Sequence, residues 1–402
     1  MTKTIAIFGA LDTKGQEFAF LKAAIEQRGF QTLVVDTGVL AEPAFPPDIT
    51  HDQVAIAAGV TLADLVTKGD RGEAMAAMQK GAAEIARQLH RDGKIDGIIS
   101  MGGGGGTSVA TAAMRALPVG FPKLMVSTVA SGDTSGFVGN SDITMMYSVV
   151  DVAGINRISR LIYTNAAGAI CGMVAGEVTQ TEDKPIIAVS MFGNTTRAVN
   201  QARGLLEAAG YEVLVFHATG SGGRTMESLI ADGLITAVLD MTTTEWADEL
   251  LGGVLSAGST RLEAAAKAGV PQVVVPGCID MCNFWALDTV PERYKGRNLY
   301  SWNPNITLMR TTPAENEQLG TIFAEKLNAS TGTVKVYVPM RGVSELDVEG
   351  KPFYDPAALP AFVNALKSKL RPDIPVGELD MDINDPLFAE ATTNALLQMI
   401  GK

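Results

Sequence analysis

Three loops, each set directly after a short apolar run, carry the chemistry legible in the first half of this sequence. The first reads Gly9-Ala10-Leu11-Asp12-Thr13-Lys14-Gly15. Lys14 and Thr13, beside the free N–H groups of a helix start, suit a phosphate. Asp12 or Thr13 suits a helix N-cap equally well. The spacing is neither GxxxxGK[ST] nor GxGxxG. The second loop is the run Gly102, Gly103, Gly104, Gly105, Gly106, followed by Thr107 and Ser108. Glycine is entropically costly in such a run, and a strand-to-helix turn needs only one or two. The run fits a backbone that must approach an anion and aim N–H groups at it. The third loop spans Ser127 to Gly136 and contains Thr128, Ala130, Ser131, Gly132 and Asp133. Its hydroxyls suit phosphate or ribose, and Asp133 suits Mg2+ or its water shell; the same composition also makes a solvated turn. Asp36 closes the second apolar run, where an acidic side chain either meets ribose hydroxyls or simply ends a strand.

The second half repeats the arrangement with different residues. Phe192-Gly193-Asn194 follows one apolar run, and His217-Ala218-Thr219-Gly220-Ser221-Gly222-Gly223-Arg224 follows the next. Asp240 and Thr242-Thr243-Thr244-Glu245 end a third, Gly277 to Asn283 a fourth, and Arg261 is expected on the helix between these two. His217 suits a general base working with Glu245 or Asp280, or a structural histidine at a strand end. Asn194, Gly222, Gly223, Arg224 and Arg261 would hold a second substrate, with Arg224 able to fork onto a carboxylate or phosphate. Cys171, Cys278 and Cys282 read as buried small residues rather than a zinc site, because no histidine cluster joins them.

The elements that must position these loops follow from an internal echo. KTIAIFGALDTKGQEFAFLKAAIEQRGFQTLVVD (3–36) and KPIIAVSMFGNTTRAVNQARGLLEAAGYEVLVF (184–216) both read strand, glycine-containing loop, amphipathic helix, strand. That is a βαβ unit, which joins parallel strands by a right-handed crossover. IDGIISM with PKLMVST, and ITAVLDM with PQVVVPG, extend the echo. The expected fold is α/β: two Rossmann-like doubly wound lobes with parallel sheets, related by duplication of architecture. The lobes are expected over residues 1–180 and 181–402, divided in the polar stretch 178–185. Residues 154–178 are expected to form a small-residue helix, buried or at an interface, and a last helix is expected near 385–400. Ligands of such sheets sit outside the carboxyl ends of the strands, which is where all of these loops fall.

Composition narrows the function classes. The chain has 402 residues, 47% hydrophobic and 19% charged, enough for two cores. A net charge of −12 without any basic run argues against nucleic acid as a partner. Every apolar run is interrupted before it could cross a bilayer. The N-terminal MTKTIAIFG is too short for a signal peptide, so a cytoplasmic location is expected. A homo-oligomer, dimer or higher, is compatible with the small-residue helix.

GALDTKGQE, ISMGGGGGTSVAT, STVASGD, HATGSGGRTMESL and PGCIDMCNF, in that order, resemble the ATP-binding domain family of the tomato mosaic virus resistance protein. The resemblance runs from Lys3 to about Phe388. It implies two Rossmann-like lobes with ATP in the N-terminal one, held by the GALDTKG loop, the glycine run and the STVASGD loop; Mg2+ is expected to accompany the ATP. Two function classes stay open. One is an ATP-using enzyme of small-molecule metabolism, with an acid or sugar-derived substrate in the inter-lobe cleft. The other is a nucleotide-gated regulatory or protein-binding module without turnover.

Overall fold

The structure is a computed structural model that describes residues 2–177 and 183–401. The chain divides into two compact units, residues 1–179 and 180–402. Residues 178–182 of the polar stretch expected to separate them lie outside the described residues.

Unit 1 opens with β1 (Thr4–Gly9), α1 (Leu11–Glu26) and β2 (Gln31–Asp36). A long connection holds α2 (His51–Ala57), α3 (Leu62–Lys68) and α4 (Arg71–Arg91). Then come β3 (Gly97–Gly102), α5 (Gly104–Arg115), β4 (Lys123–Ser127), α6 (Ser135–Val138), β5 (Thr144–Tyr147) and α7 (Arg157–Ala175). The five strands are parallel, in the order β2-β1-β3-β4-β5. β1 is apolar and buried from Ile5 onward because helices cover both faces of a parallel sheet. Ala6 and Phe8 pack with Met78, Ala82 and Val109 of α4 and α5. Ile5 and Ile7 pack on the other face with Phe18 and Leu21 of α1 and Ala166 and Ile170 of α7. The small residues of α7 thus lie against the sheet. The chain winds outward from β1 to β2, returns past β1 to β3, and sends α1 and α5 to opposite faces. Outside the carboxyl ends of β1 and β3 lies the crevice where such folds take ligands.

Unit 2 winds the same way. It runs β6 (Ile186–Met191), α8 (Thr196–Ala208), β7 (Glu212–His217), α9 (Ser221–Ala231), β8 (Ala237–Asp240), α10 (Glu245–Leu251), α11 (Ala264–Ala268) and β9 (Gln272–Val274). Three strands then form a separate antiparallel sheet: β10 (Met281–Phe284), β11 (Leu299–Asn303) and β12 (Ile306–Arg310). The unit closes with α12 (Pro313–Asn328), β13 (Val334–Pro339), α13 (Ala358–Lys369), β14 (Val376–Leu379) and α14 (Pro386–Met399). Its parallel sheet has the order β14-β13-β9-β8-β6-β7, which reverses between β6 and β8. α8 and α14 cover one face, and α9, α12 and α13 the other. Two expectations change here. Arg261 lies in a turn before α11 and not on a helix. Cys282 and Asn283 belong to the antiparallel sheet and not to a strand-end loop.

That small sheet is fastened by a buried carboxylate. Asp248 Oδ1 accepts from the N–H groups of Asn283 (3.0 Å) and Leu255 (3.2 Å), and Oδ2 accepts from Asn283 Nδ2 (2.6 Å). Burial pushes this carboxyl up to about 7. Its folded pKa therefore lies above its unfolded one, so its contribution to stability is complete below about pH 4 and is lost as pH rises through about 7. The thermal midpoint should fall between about pH 5 and about pH 8, and Asp248→Asn should flatten that fall. Equal slopes in the two proteins would contradict the assignment.

Gly9, which ends β1, is fixed by packing. A Cβ there would lie 2.2 Å from the ring of buried Phe18. Gly9→Ala should cost about 1–3 kcal/mol in urea unfolding; an unchanged midpoint would show that Phe18 is free to move aside.

Candidate functional site

At the crevice of unit 1, the loop after β1 is knitted to the loop after β2. Asp36 is fully buried, and its Oδ1 accepts from Leu11 N–H (3.0 Å) and Gly38 N–H (2.9 Å). His51 Nδ1 lies 3.1 Å from its Oδ2, and burial pushes the carboxyl up. Asp12 Oδ2 accepts from the N–H groups of Val39 (3.2 Å) and Leu40 (2.9 Å). Asp36, Leu11 and Asp12 are thus used by the fold itself, and Asp36 is not free to meet a ribose. Thr13 is exposed. Lys14 interrupts α1 with non-helical backbone (φ −131°, ψ 28°), and its ammonium donates to the carbonyl of Val152.

The glycine run is different in kind. Gly103 is the N-cap of α5, in extended backbone, and none of Gly102 to Gly106 has a positive φ. Nor does packing exclude side chains from most of them. A Cβ on Gly104 would meet nothing within 4 Å. On Gly103, Gly105 and Gly106 its nearest neighbours would be Thr128 Oγ1 at 3.6 Å, Met75 Cε at 3.7 Å and the Met101 carbonyl at 3.6 Å, all ordinary contacts. Gly102 alone is tight, 3.1 Å from Gly106 Cα. The first intrahelical bond of α5 runs from Thr107 N–H to Gly103 O (2.8 Å), so the N–H groups of Gly104, Gly105 and Gly106 have no partner within the helix. They present the positive end of a three-turn helix to open space.

The surroundings are equally specific. Thr107 is buried, with its hydroxyl 2.6 Å from that of Ser127; it ties α5 to β4 and is not available to a ligand. Thr128, Ala130, Ser131 and Gly132 turn away from β4, and Ser131 and Gly132 are exposed. Asp133 is exposed, and its bonds with Ser135 hold its carboxyl below the usual range. Among the described residues no three His, Cys, Asp or Glu side chains gather as a metal cluster. A hollow of about 270 Å³ lies beside Thr128, lined also by Tyr147, Ser148, Val149 and Asp151. Val149 holds φ 63° there, which is unfavourable for a β-branched side chain. Arg71, exposed at the start of α4, brings a guanidinium nitrogen to 4.0 Å from the Cβ position of Gly105. Nothing in the sequence near Arg71 marks it; only the packing of α4 on α5 places it there.

Unit 2 satisfies one of its helix starts with its own side chains. Where α5 begins with glycines, α10 begins at Glu245 after three buried threonines. Glu245 Oε1 accepts from the N–H groups of Gly220 (2.8 Å) and Gly223 (3.1 Å), so a resident carboxylate occupies the turn that opens α9. Gly223 is glycine because a Cβ would lie 2.2 Å from Glu245 Oε2, and Gly222 because one would lie 1.9 Å from the His217 carbonyl. Arg261 is buried. Its guanidinium donates to Glu245 (2.7 Å), to both oxygens of Asp240 (2.5 and 2.6 Å) and to Glu227 (3.2 Å). Ser190 donates to Asp240 Oδ1 (2.6 Å), and Thr195 and Thr242 pair at 2.8 Å.

These contacts correct several expectations. Glu245, Arg261, Gly222 and Gly223 are engaged in contacts inside the unit. Asp280 is fully buried and accepts from the Ser344 hydroxyl (2.7 Å), and burial pushes its carboxyl up. His217 is bonded to neither Glu245 nor Asp280; its ring packs against Phe192 at 5.5 Å, and burial pushes its pKa down. Arg224 is exposed and donates to the Ser256 carbonyl (2.9 Å). Cys278 and Cys282 are buried, and burial pushes both thiols up. Of the expected substrate residues, Asn194 lines one hollow, with Phe192 and His217, and Arg224 lines another, with Glu227 and Thr260.

Family profiles match both units: the N-terminal domain of the uncharacterised protein family UPF0261 over residues 3–179, and its C-terminal domain over 184–400. The chain belongs to the UPF0261 family. A UPF0261 protein of Clostridium tetani is 52% identical over the full length of both chains. The ToMV resistance protein Tm-1 of Solanum lycopersicum is 41% identical over 83% of this chain and 45% of its own. A solved UDP-N-acetylglucosamine 2-epimerase from Rickettsia bellii aligns with all of this chain and 96% of its own at 11% identity, with a TM-score of 0.24.

In this UPF0261 chain, Arg261→Met would leave the three carboxylates of Asp240, Glu245 and Glu227 without their cation. Urea unfolding should show a loss of about 3–5 kcal/mol, and Arg261→Lys should restore less than half of it, because one ammonium cannot fork across three carboxylates. Near-native stability in Arg261→Met would mean that the cluster is not a structural ion network.

Proposed function

We propose that this UPF0261 chain binds ATP at the crevice of unit 1. The phosphates lie against the N–H groups of Gly104, Gly105 and Gly106, and Arg71 neutralises them from α4. The nucleoside extends over Thr128 toward the hollow beside Tyr147 and Val149, and Mg2+ arrives on the phosphates with Asp133 of the loop after β4 as its candidate carboxylate. The observation that carries this reading is the glycine run. Neither backbone angles nor packing requires Gly103 to Gly106, although glycine weakens a helix by up to about 1 kcal/mol per position relative to alanine. A polyanion drawn close to backbone N–H groups gives them a reason. The ordered resemblance of GALDTKGQE, ISMGGGGGTSVAT and STVASGD to an ATP-binding family selects ATP among phosphate ligands. Because Glu245, Asp280 and Arg261 are held in internal bonds, the reading is one of nucleotide binding, not of a reaction completed by those residues.

Calorimetric titration with ATP and Mg2+ tests this. Arg71→Ala should weaken binding about tenfold, the effect of losing a charge-assisted contact. Gly104→Val should weaken it further by blocking the phosphates. Both variants should melt within a few degrees of the parent, since Arg71 is exposed and a Gly104 side chain has room. Parental affinity in both variants would remove the phosphates from this crevice.

A further inference from the structure

Unit 2 contains a second hollow, of about 410 Å³, outside the ends of β6 and β7 and under the antiparallel sheet. Phe192, His217, Trp285, Trp302 and Leu308 line it together with Asn194. We infer that this hollow binds an uncharged planar heteroaromatic ring that donates one N–H to Asn194.

Three observations carry this. First, the wall is aromatic. Trp285 and Trp302 are 51% and 43% exposed, whereas Trp246, the remaining tryptophan, is buried. Large aromatic faces left open beside a cavity are the usual means of stacking a planar ligand. Second, none of the residues lining the hollow is Asp, Glu, Lys or Arg. A carboxylate or phosphate would lose its hydration without a counter-charge. His217, held below its ordinary pKa by burial, adds no charge near neutral pH. Third, Asn194 is 1% exposed and its Oδ1 has no hydrogen-bond donor, while its Nδ2 meets only the Met281 sulfur at 3.8 Å. A buried acceptor without a partner is costly, and a single ligand N–H would satisfy it. Among the polar residues of the lining, Asn194, Thr219, Asn303 and His217, the unpartnered acceptor of Asn194 is the one that a single ring N–H would satisfy.

The probe pair is benzimidazole and 1-methylbenzimidazole, alike in shape and stacking but differing in the N–H. Tryptophan emission of the full chain, excited at the red edge of its absorption, reports on Trp285 and Trp302. Benzimidazole should quench saturably, with 1-methylbenzimidazole binding at least about tenfold more weakly, and benzoate and methyl glucoside should leave the emission unchanged. Asn194→Leu should equalise the two benzimidazoles; the parent chain alone already gives the comparison should that variant fold poorly. Saturating Mg2+ and ATP should not compete, which separates this site from the one proposed for unit 1. Equal affinities for the two probes, no saturable quenching, preference for benzoate or methyl glucoside, or loss of the response on diluting the protein, as expected if a second copy covers the tryptophans, would each overturn the inference.

Discussion

A parallel sheet wound outward from its centre leaves a gap where its direction reverses, because the helices leaving the two central strands go to opposite faces. Both units of this chain have that gap, between β1 and β3 in one and between β6 and β8 in the other. Helix N-termini point at it, with N–H groups that the helix cannot satisfy. The protein meets this obligation in two ways. In unit 2, Glu245 supplies the anion at the start of α9, Arg261 balances it, and threonines occupy the remaining volume. In unit 1, the helix that follows β3 begins with Gly104, Gly105 and Gly106, whose N–H groups have no partner within the helix. The same topology thus gives one closed end and one open end, and the open one is where a diffusing anion can enter.

The closed end explains why so many polar residues of unit 2 are buried. A buried cation beside one carboxylate balances Coulomb attraction against loss of hydration. Around Arg261, three carboxylates share one guanidinium, and the turn N–H groups of Gly220 and Gly223 take up part of the surplus negative charge on Glu245. Asp240 receives a further bond from Ser190. The cluster joins β6, β8, α9, α10 and the turn before α11, so its polar atoms act as structural cross-links among elements that apolar packing alone would not register.

Much of this architecture was legible in the sequence. The echo of βαβ units gave the two parallel sheets, and the glycine run was correctly set after β3. Less legible was the use to which each polar residue is put. Arg224, Arg261, Glu245 and Gly223 have the composition of an anion site, yet in the fold the anion is Glu245 itself. A carboxylate many residues away in the chain leaves no local mark on the turn it fills. Arg71 was missed for the same reason, since it reaches the glycines from a helix in a long connection without a motif. The antiparallel sheet was missed because LYSWN and ITLMR are short and joined by a turn with no strong periodicity. Asp36 had the position of a ribose ligand; its partners Leu11 N–H and His51 are revealed only when the loop after β1 meets α2.

The account stands on the contrast between the two sets of glycines, one open to an external anion and the other closed by an internal one. Amide spectra of the protein labelled with 15N-glycine, recorded with and without ATP and Mg2+, read both sets in a single sample. The account requires the resonances of Gly103 to Gly106 to move on nucleotide addition while those of Gly220 and Gly223, already bonded to Glu245, stay in place. Movement of Gly220 and Gly223 with Gly103 to Gly106 unchanged would contradict it.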